Sequence, residues 1–386
     1  MEALELLDII DNGETSRVQF KEIISSPDQL MTEMAAFCNS KGGRIFVGVK
    51  DHTGEIVGLS QELIRKISST AANVATNNIK PQIFINTEVV TIKKNRVLVI
   101  EIAEGADKPY YDKDGVVWVK NGADKRRVTD KHEMARLLAQ GGNLSADEMP
   151  VKSVVISDLN ISKLFEYCKM LDDQFVRNTE ENDEKLLENL KLYKDGHINL
   201  GCLLLFGKEP QKFKPAFCVK AVSYFGNDIE GTKYRSSRDI NGDIETLYNN
   251  SKDFLFANLD SIQEGQEFNK SGTVEISEIA IQELLVNALV HRDYFKNAPV
   301  RLLIFDDRVE IISPGKLPNN LSIENIKAGN AVIRNNIIAS VCSRILPYRG
   351  LGSGIRRAFK AKPDIELIND ESGEQFIVRI PRPSKV

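Results

Sequence analysis

Residues 282–294 read QELLVNALVHRDY and set Glu283, Asn287 and His291 at four-residue intervals inside an apolar run. On a helix that spacing stacks a carboxylate, an amide and an imidazole along one stripe. A helix over residues 279–289 should be largely buried, because Ile279, Ile281, Leu284, Leu285, Ala288 and Leu289 all belong in a core. Two readings stay open for the stripe: a solvated polar face, or chemistry that uses a hard oxygen donor beside a proton acceptor. For His291 and Asp293 a structural hydrogen-bonded pair is expected. The HRD they span has the look of a protein-kinase catalytic loop, but the asparagine of that pattern would fall at Ala298, and no DFG or VAIK is present.

Two further stretches follow in order, SPGKLP (313–318) and GLGSGIRRAF (350–359). Glycines 350, 352 and 354 immediately precede a helical segment with two arginines, so backbone N–H groups and a helix N-terminus could approach a phosphate there. Alone this glycine pattern is weak, since it also occurs in ordinary turns. The ordered set is more specific. No GxxxxGK[ST] occurs anywhere, so a P-loop motor is missing and a helicase is not expected.

The N-terminal part carries a second constellation. Arg17, Gln19 and Lys21 share one strand face by the period of two, which suits phosphate contact. Lys120, Lys125, Arg126 and Arg127 form a local basic patch with Tyr110, Tyr111 and Trp118 nearby in sequence. Such a mix fits phosphate contacts plus base stacking, and the alternative is a solvated loop over core aromatics.

These groups need a scaffold, and the chain is long enough for one. Its 386 residues suggest two or three domains, and 42% hydrophobic with 27% charged residues is ordinary for globular protein. A net charge of −4 argues against a protein that coats nucleic acid, so any such binding must use a local patch. The five cysteines are widely spaced, without CxxC pairing, and most sit in apolar runs, which points to buried reduced thiols. The first residues, MEALELLDIIDNGE, are acidic and amphipathic, unlike a signal peptide, and no apolar run has membrane-spanning length. A cytoplasmic protein is expected.

The first 140 residues alternate helix and strand signals. A short helix at 3–10 leads to a strand at 16–23, and Asp28 can cap a helix through Phe37. RIFVGVKD reads as a strand, with IVGL returning as its hairpin partner across a turn. A helix from Gln61 to about Asn77 follows, then two strands joined at KKN, then VVWVK and a helix at 130–140. The result is an α+β domain with a mainly antiparallel sheet. Residues 141–200 read as a linker and a charged helical connector, and 201–386 as a third region with its motifs in 272–386. There GCLLLFG and FCVKAVSYF read as strands, 243–259 as a helix, QEGQEFNKSG as a loop, VRLLIFDDRVEIIS as paired strands, 334–343 as a helix and EQFIVRIPR as a final strand.

The stretches ELLVNALVHRDY, FDDRVEIISPGKLP, RNNIIAS and GLGSGI together resemble the GHKL ATPase fold, in the branch labelled RecG-like C-terminal or Schlafen-associated ATP-binding. The resemblance implies an α/β sandwich that binds ATP with Mg²⁺. Asn287 would be the Mg²⁺ ligand and Glu283 the general base acting on the attacking water. PGKLP, with Gly315, would stand at the first glycine box, whose usual adenine-reading aspartate is replaced by Ser313. Gly350, Gly352, Ser353 and Gly354 would form the phosphate-side box. Residues 319–349 would make a lid, in which Arg334 and Asn335 contact phosphate or cap the next helix. Members of this fold commonly dimerise on nucleotide binding, so a homo-oligomer is implied by analogy.

The stretches ETSRVQFKE, MAAFCNSKGGRIFVGVKDHTGEIVGL, KPYY and VVWVKNGADKRR resemble the Schlafen/AlbA-type domain over most of residues 12–140. Members bind or cleave nucleic acid, and in nuclease members three acidic residues hold a metal. The matching positions here are Glu14, Gln19 and Asp51. A neutral amide at Gln19 leaves two formal charges for a divalent cation, which weakens metal capture and water activation. The resemblances together imply an ATP-binding protein coupled to DNA or RNA, regulatory in transcription or antiviral defence. An ATP-gated nuclease and a non-catalytic scaffold are the alternatives. Relatives of this kind often end in a winged helix, and with the chain ending at Val386 none is expected here.

Overall fold

Ser26 accepts a hydrogen bond from the Gln29 amide and Pro27 takes the first helical position, so the chain turns helical over Pro27–Asn39. The cap is therefore Ser26 rather than Asp28. That helix lies against a four-stranded sheet ordered Val18–Lys21, Gly43–Val47, Asn95–Ile102, Ile85–Ile92. The first pair is parallel and the others antiparallel. Met31, Met34, Ala35 and Phe37 of the helix pack with Ile45, Val47, Leu98 and Ile100 of the sheet. IVGL does not return as a strand: Val57 and Gly58 both donate to the Gly48 carbonyl, and only the bridge Val49–Ile56 forms. The helix Gln61–Asn73, capped by Ser60, ends in a π turn over Val74–Asn78.

This computed structural model describes residues 1–51, 53–171, 183–229, 233–262, 273–318 and 321–383. Within them the chain divides into two units, Met1–Leu144 and Ser145–Val386. Among the described residues no helix is long and apolar enough to cross a membrane. All five cysteines are buried thiols.

The second unit is built on a six-stranded sheet ordered Tyr234–Ile240, Val219–Tyr224, Val300–Ile304, Arg308–Pro314, Gln375–Pro381, Glu366–Asp370. One pair, Val219–Tyr224 with Val300–Ile304, is parallel and the rest are antiparallel. The helices Ile244–Asn258 and Glu278–Val290 share one core with the sheet residues Val219, Leu302, Ile304 and Ile311. On the other face Leu303, Phe305 and Ile312 form a smaller cluster. The chain is α+β throughout.

Residues 145–200 do not stand apart as a connector. Val151, Leu159, Leu164, Leu186 and Leu192 join the same core as the sheet. Part of the expected charged helix, residues 172–182, and the expected loop at 263–272 lie outside the described residues. GCLLLFG is a helix, Leu200–Phe206, rather than a strand. Asn199 accepts from the Cys202 amide to start it, and every residue of it is buried, which erases the amphipathic period that would have marked it.

Candidate functional site

The helix Glu278–Val290 is apolar nearly all round because it is packed on several sides, but Ile279 is 52% exposed rather than in the core. Glu283 and Asn287 face a second helix, Ser353–Ala361. Arg357 from that helix donates Nε to Glu283 Oε1 at 2.6 Å, and its Nη1 reaches Ser353 Oγ at 2.7 Å. Asn287 donates Nδ2 to the Glu283 carbonyl at 2.6 Å. At Gly354 a Cβ would stand 2.5 Å from Glu283 Oε2 and 3.3 Å from Asn287 Nδ2. Only a residue without a side chain lets the helix start this close to the carboxylate and the amide.

The helix opens at Gly352, in the left-handed region with φ +67°, and no side chain caps it. Its first amides are thus served by no side chain, and they carry the positive end of the helix dipole. In front lies a cavity with about 1050 Å³ of atom-free space, its open mouth included. Leu284, Ile311, Leu317, Phe376 and Val378 give it apolar walls. Among the described residues its charged lining is one carboxylate, Glu283, against Lys316, Arg334, Arg349 and Arg357. Such a cavity attracts an anion with an apolar part.

Gly315, Gly350, Gly352, Ser353 and Gly354 all line this cavity, as do Glu283, Asn287 and Arg334. Gly315 has φ +105°, and a Cβ there would meet Asp293 Cβ at 2.4 Å and Arg334 Nη1 at 2.6 Å. Arg334 donates Nη2 to the Lys316 carbonyl at 2.8 Å, tying the loop after residue 321 to the Gly315 turn. Asn335 is placed otherwise: fully buried, it donates to the Val290 and Arg292 carbonyls at 2.8 Å each and secures the end of the helix Glu278–Val290. Ser313 donates to the Ala288 carbonyl at 2.9 Å while lining the cavity. Arg292 of HRD is a core residue. It donates to the Lys296 and Ala298 carbonyls and lies 4.3 Å from the Phe217 ring centre.

His291 does not pair with Asp293, which accepts from the Phe295 amide instead. Its Nε2 meets Tyr348 Oη at 3.0 Å. Burial, helped by the nearby Arg334 charge, pushes the imidazole down to about 4. An unfolded chain therefore binds a proton that the folded one refuses, and stability falls as pH drops from about 6.5 to 4. The ring is partly open to cavity water, so the loss is about 2 kcal/mol after allowance for screening. Denaturant titrations at pH 7 and pH 4.5 on wild type and His291→Gln should show that component vanish in the variant. An equal pH response in both would refute the assignment.

The N-terminal candidates also meet, but they satisfy one another. Glu14 accepts from Gln19 Nε2 and from the Phe20 amide. Gln19 Oε1 in turn accepts from Lys120 Nζ at 2.8 Å, and Lys21 pairs with Asp51 at 2.6 Å. The Lys120 side chain is 1% exposed, and burial draws its ammonium below the ordinary lysine value while Glu33 opposes the shift. Of the face expected to meet phosphate, Gln19 and Lys21 are buried and engaged internally, while Arg17 precedes the strand and is exposed. Lys125 pairs with Glu33, and Arg126 holds Glu133 through two bonds. Arg127 lies over the Trp118 ring at 5.1 Å. Among the described residues no group of three metal-ligating side chains assembles.

Two further residues complete the site, Arg357 and Tyr348. Arg357 had a usable signal, since it falls four residues after Ser353 on the same helix. Tyr348 had none, because its partner lies 57 residues away.

Residues 14–129 match the family described as "Schlafen, AlbA_2", and residues 297–378 match "Putative ATP-dependent DNA helicase recG C-terminal". The second match begins after Glu283 and Asn287, which enter the site through their contact with Gly354 inside it. A crystal structure of the DIP2311 protein from Corynebacterium diphtheriae is 19% identical, with a TM-score of 0.46, covering 99% of this chain and 69% of that one. A solution structure is that of the N-terminal domain of a "Putative ATP-dependent DNA Helicase RecG-related Protein" from Nitrosomonas europaea. It is 22% identical, with a TM-score of 0.25, and covers 34% of this chain and 97% of that one. No curated protein matches the chain.

Proposed function

We propose that this chain, which joins a Schlafen AlbA_2 domain to a recG C-terminal-type domain, binds ATP with Mg²⁺ in the second unit and uses it to regulate contact with nucleic acid through the first. The observation that carries the nucleotide reading is the charge of the cavity: four cations and one carboxylate around an uncapped helix start, with apolar walls alongside. Phosphates fit the amides of the first helical turn. A base fits between Leu284, Ile311 and Val378, where Ser313, its proton given to Ala288, offers lone pairs to an amino group.

The donor set suits Mg²⁺. Asn287 commits Nδ2 to a carbonyl, so the oxygen Oδ1 is its remaining ligand atom. One protein oxygen is in keeping with an ion that keeps several waters and takes phosphate oxygens. The bound metal would neutralise phosphate charge and hold water near Glu283. Glu283 would orient such a water or accept its proton. In the first unit, the neutral amide at Gln19 argues against cleavage, and the exposed Arg17 and Arg127 are left to contact nucleic acid. Lys21 on Asp51 further reduces the negative charge available there to a divalent cation.

The test is calorimetric titration of ATP, with and without Mg²⁺, on wild type and Asn287→Ala. Wild type should bind saturably and more tightly with Mg²⁺. The variant should lose the Mg²⁺ dependence and about ten- to hundredfold in affinity, the loss of one charge-assisted contact. Absence of ATP binding by the wild type would sink the proposal.

A further inference from the structure

Of the cationic groups on the cavity wall, Arg357 alone is bonded at once to the candidate base and to the start of the candidate phosphate-binding helix. Its Nε and Nη2 lie 2.6 and 2.5 Å from Glu283 Oε1, and its Nη1 donates to Ser353 Oγ at 2.7 Å. Arg334, by contrast, spends its guanidinium on the Lys316 and His291 carbonyls. In the pair Glu283 is 10% exposed and Arg357 is 35% exposed, so the carboxylate is held in the wall while the guanidinium keeps access to the cavity.

We propose that Arg357 reads the terminal phosphate of the bound nucleotide, exchanging Glu283 for that phosphate, so that triphosphate and diphosphate are told apart. This rests on the cavity being a nucleotide site and adds the group that discriminates within it. Three observations make the exchange physically cheap. The guanidinium is planar with a fork of donors, and a phosphate offers it the same two-oxygen geometry as a carboxylate, with more charge. The contact to Ser353 already sets it at the first residue of the helix whose amides face the cavity, so no large movement is needed. The pair is open to water on the arginine side, so cavity water can replace the guanidinium on the carboxylate as it leaves.

The exchange also frees the carboxylate. With Arg357 in place, two N–H groups occupy Glu283 Oε1, and Gly354 closes against Oε2. Once Arg357 has turned to phosphate, Oε1 faces the cavity and can accept from a water molecule. A diphosphate, lacking the terminal group, leaves the pair closed. Ser353 follows Arg357 as a positioning residue, since its hydroxyl accepts from Nη1 in the closed arrangement.

The full-length chain is titrated with ATP and ADP, each with Mg²⁺, as wild type, Arg357→Ala, Arg357→Lys and Glu283→Gln. Wild type should prefer ATP over ADP by about tenfold or more, one bidentate charge-assisted contact against none. Arg357→Ala should lose the preference and bind the two nucleotides about equally, whatever the overall change in affinity. Arg357→Lys should keep part of the preference, because the charge stays while the fork is lost. Glu283→Gln, in which the arginine has no carboxylate to leave, should raise the ATP-to-ADP affinity ratio above that of wild type. If Arg357→Ala discriminates as wild type does, the role of Arg357 is overturned while the nucleotide site stands. Should Arg357→Ala not fold, an unchanged ATP-to-ADP ratio in Glu283→Gln overturns it equally. Failure of wild type to bind either nucleotide overturns the site itself.

Discussion

Gly352→Ala should abolish measurable ATP binding and lower the stability of the second unit by about 2–4 kcal/mol, the cost of strain added to overpacking. Two effects combine at this position. The backbone sits at φ +67°, where a side chain is strained, and a Cβ would stand 1.9 Å from the Gly329 carbonyl oxygen. That neighbour is backbone, so relief requires the segment at 329–331 to part from the glycine loop. The parting opens the wall that Asn330, Ala331 and Gly352 jointly form. Denaturant unfolding, followed for the second unit, and ATP titration check it together. Wild-type midpoint and affinity in the variant would show that the close approach does not exist.

The second large effect lies away from the cavity. Asp147 is fully buried and accepts from Ser145 Oγ at 2.5 Å and from the Ile338 amide at 2.9 Å, at the start of the helix Asn336–Ile345. The Arg334 carbonyl lies 3.0 Å from the same hydroxyl and shares its single proton with the carboxylate. A carboxylate taken from water is retained only because these donors replace its hydration, even though burial still raises its pKa. Asp147→Ala strips the helix of its cap and leaves an amide unsatisfied, a loss of about 3 kcal/mol. Asp147→Asn keeps one acceptor oxygen and should lose less. The measurement is the unfolding free energy of the second unit, with amide exchange at residues 336–339 as its local counterpart. A change within about 0.5 kcal/mol for Asp147→Ala would refute the clamp.

These two positions show what the sequence reveals and what it conceals. The polar stripe on 283–291 and the glycines at 350–354 are local patterns, and the structure brings both to one cavity. Runs rich in β-branched residues on either side of a turn, such as Ile85–Ile92 and Asn95–Ile102, are equally legible. Leu200–Phe206 misleads because a helix buried on every side shows no period, and Asn199, its cap, is too common a residue to signal alone. Asp147 is hidden for another reason. Its partner amide lies 191 residues downstream, and no spacing rule reaches that far. The same holds for the first unit. Gln19 signals a weakened metal site from sequence, but that Lys120, 101 residues away, bonds it is visible only in the fold.

The central claim is that a nucleotide sits between the helix Glu278–Val290 and the glycine loop before Ser353. A crystal structure of the chain with a non-hydrolysable ATP analogue and Mg²⁺ tests it most directly. The expected structure has phosphates at the first turn of the helix Ser353–Ala361, the metal within bonding distance of Asn287 Oδ1, and Arg357 turned from Glu283 to the terminal phosphate. An analogue bound elsewhere, or an empty cavity at saturating analogue, would contradict it.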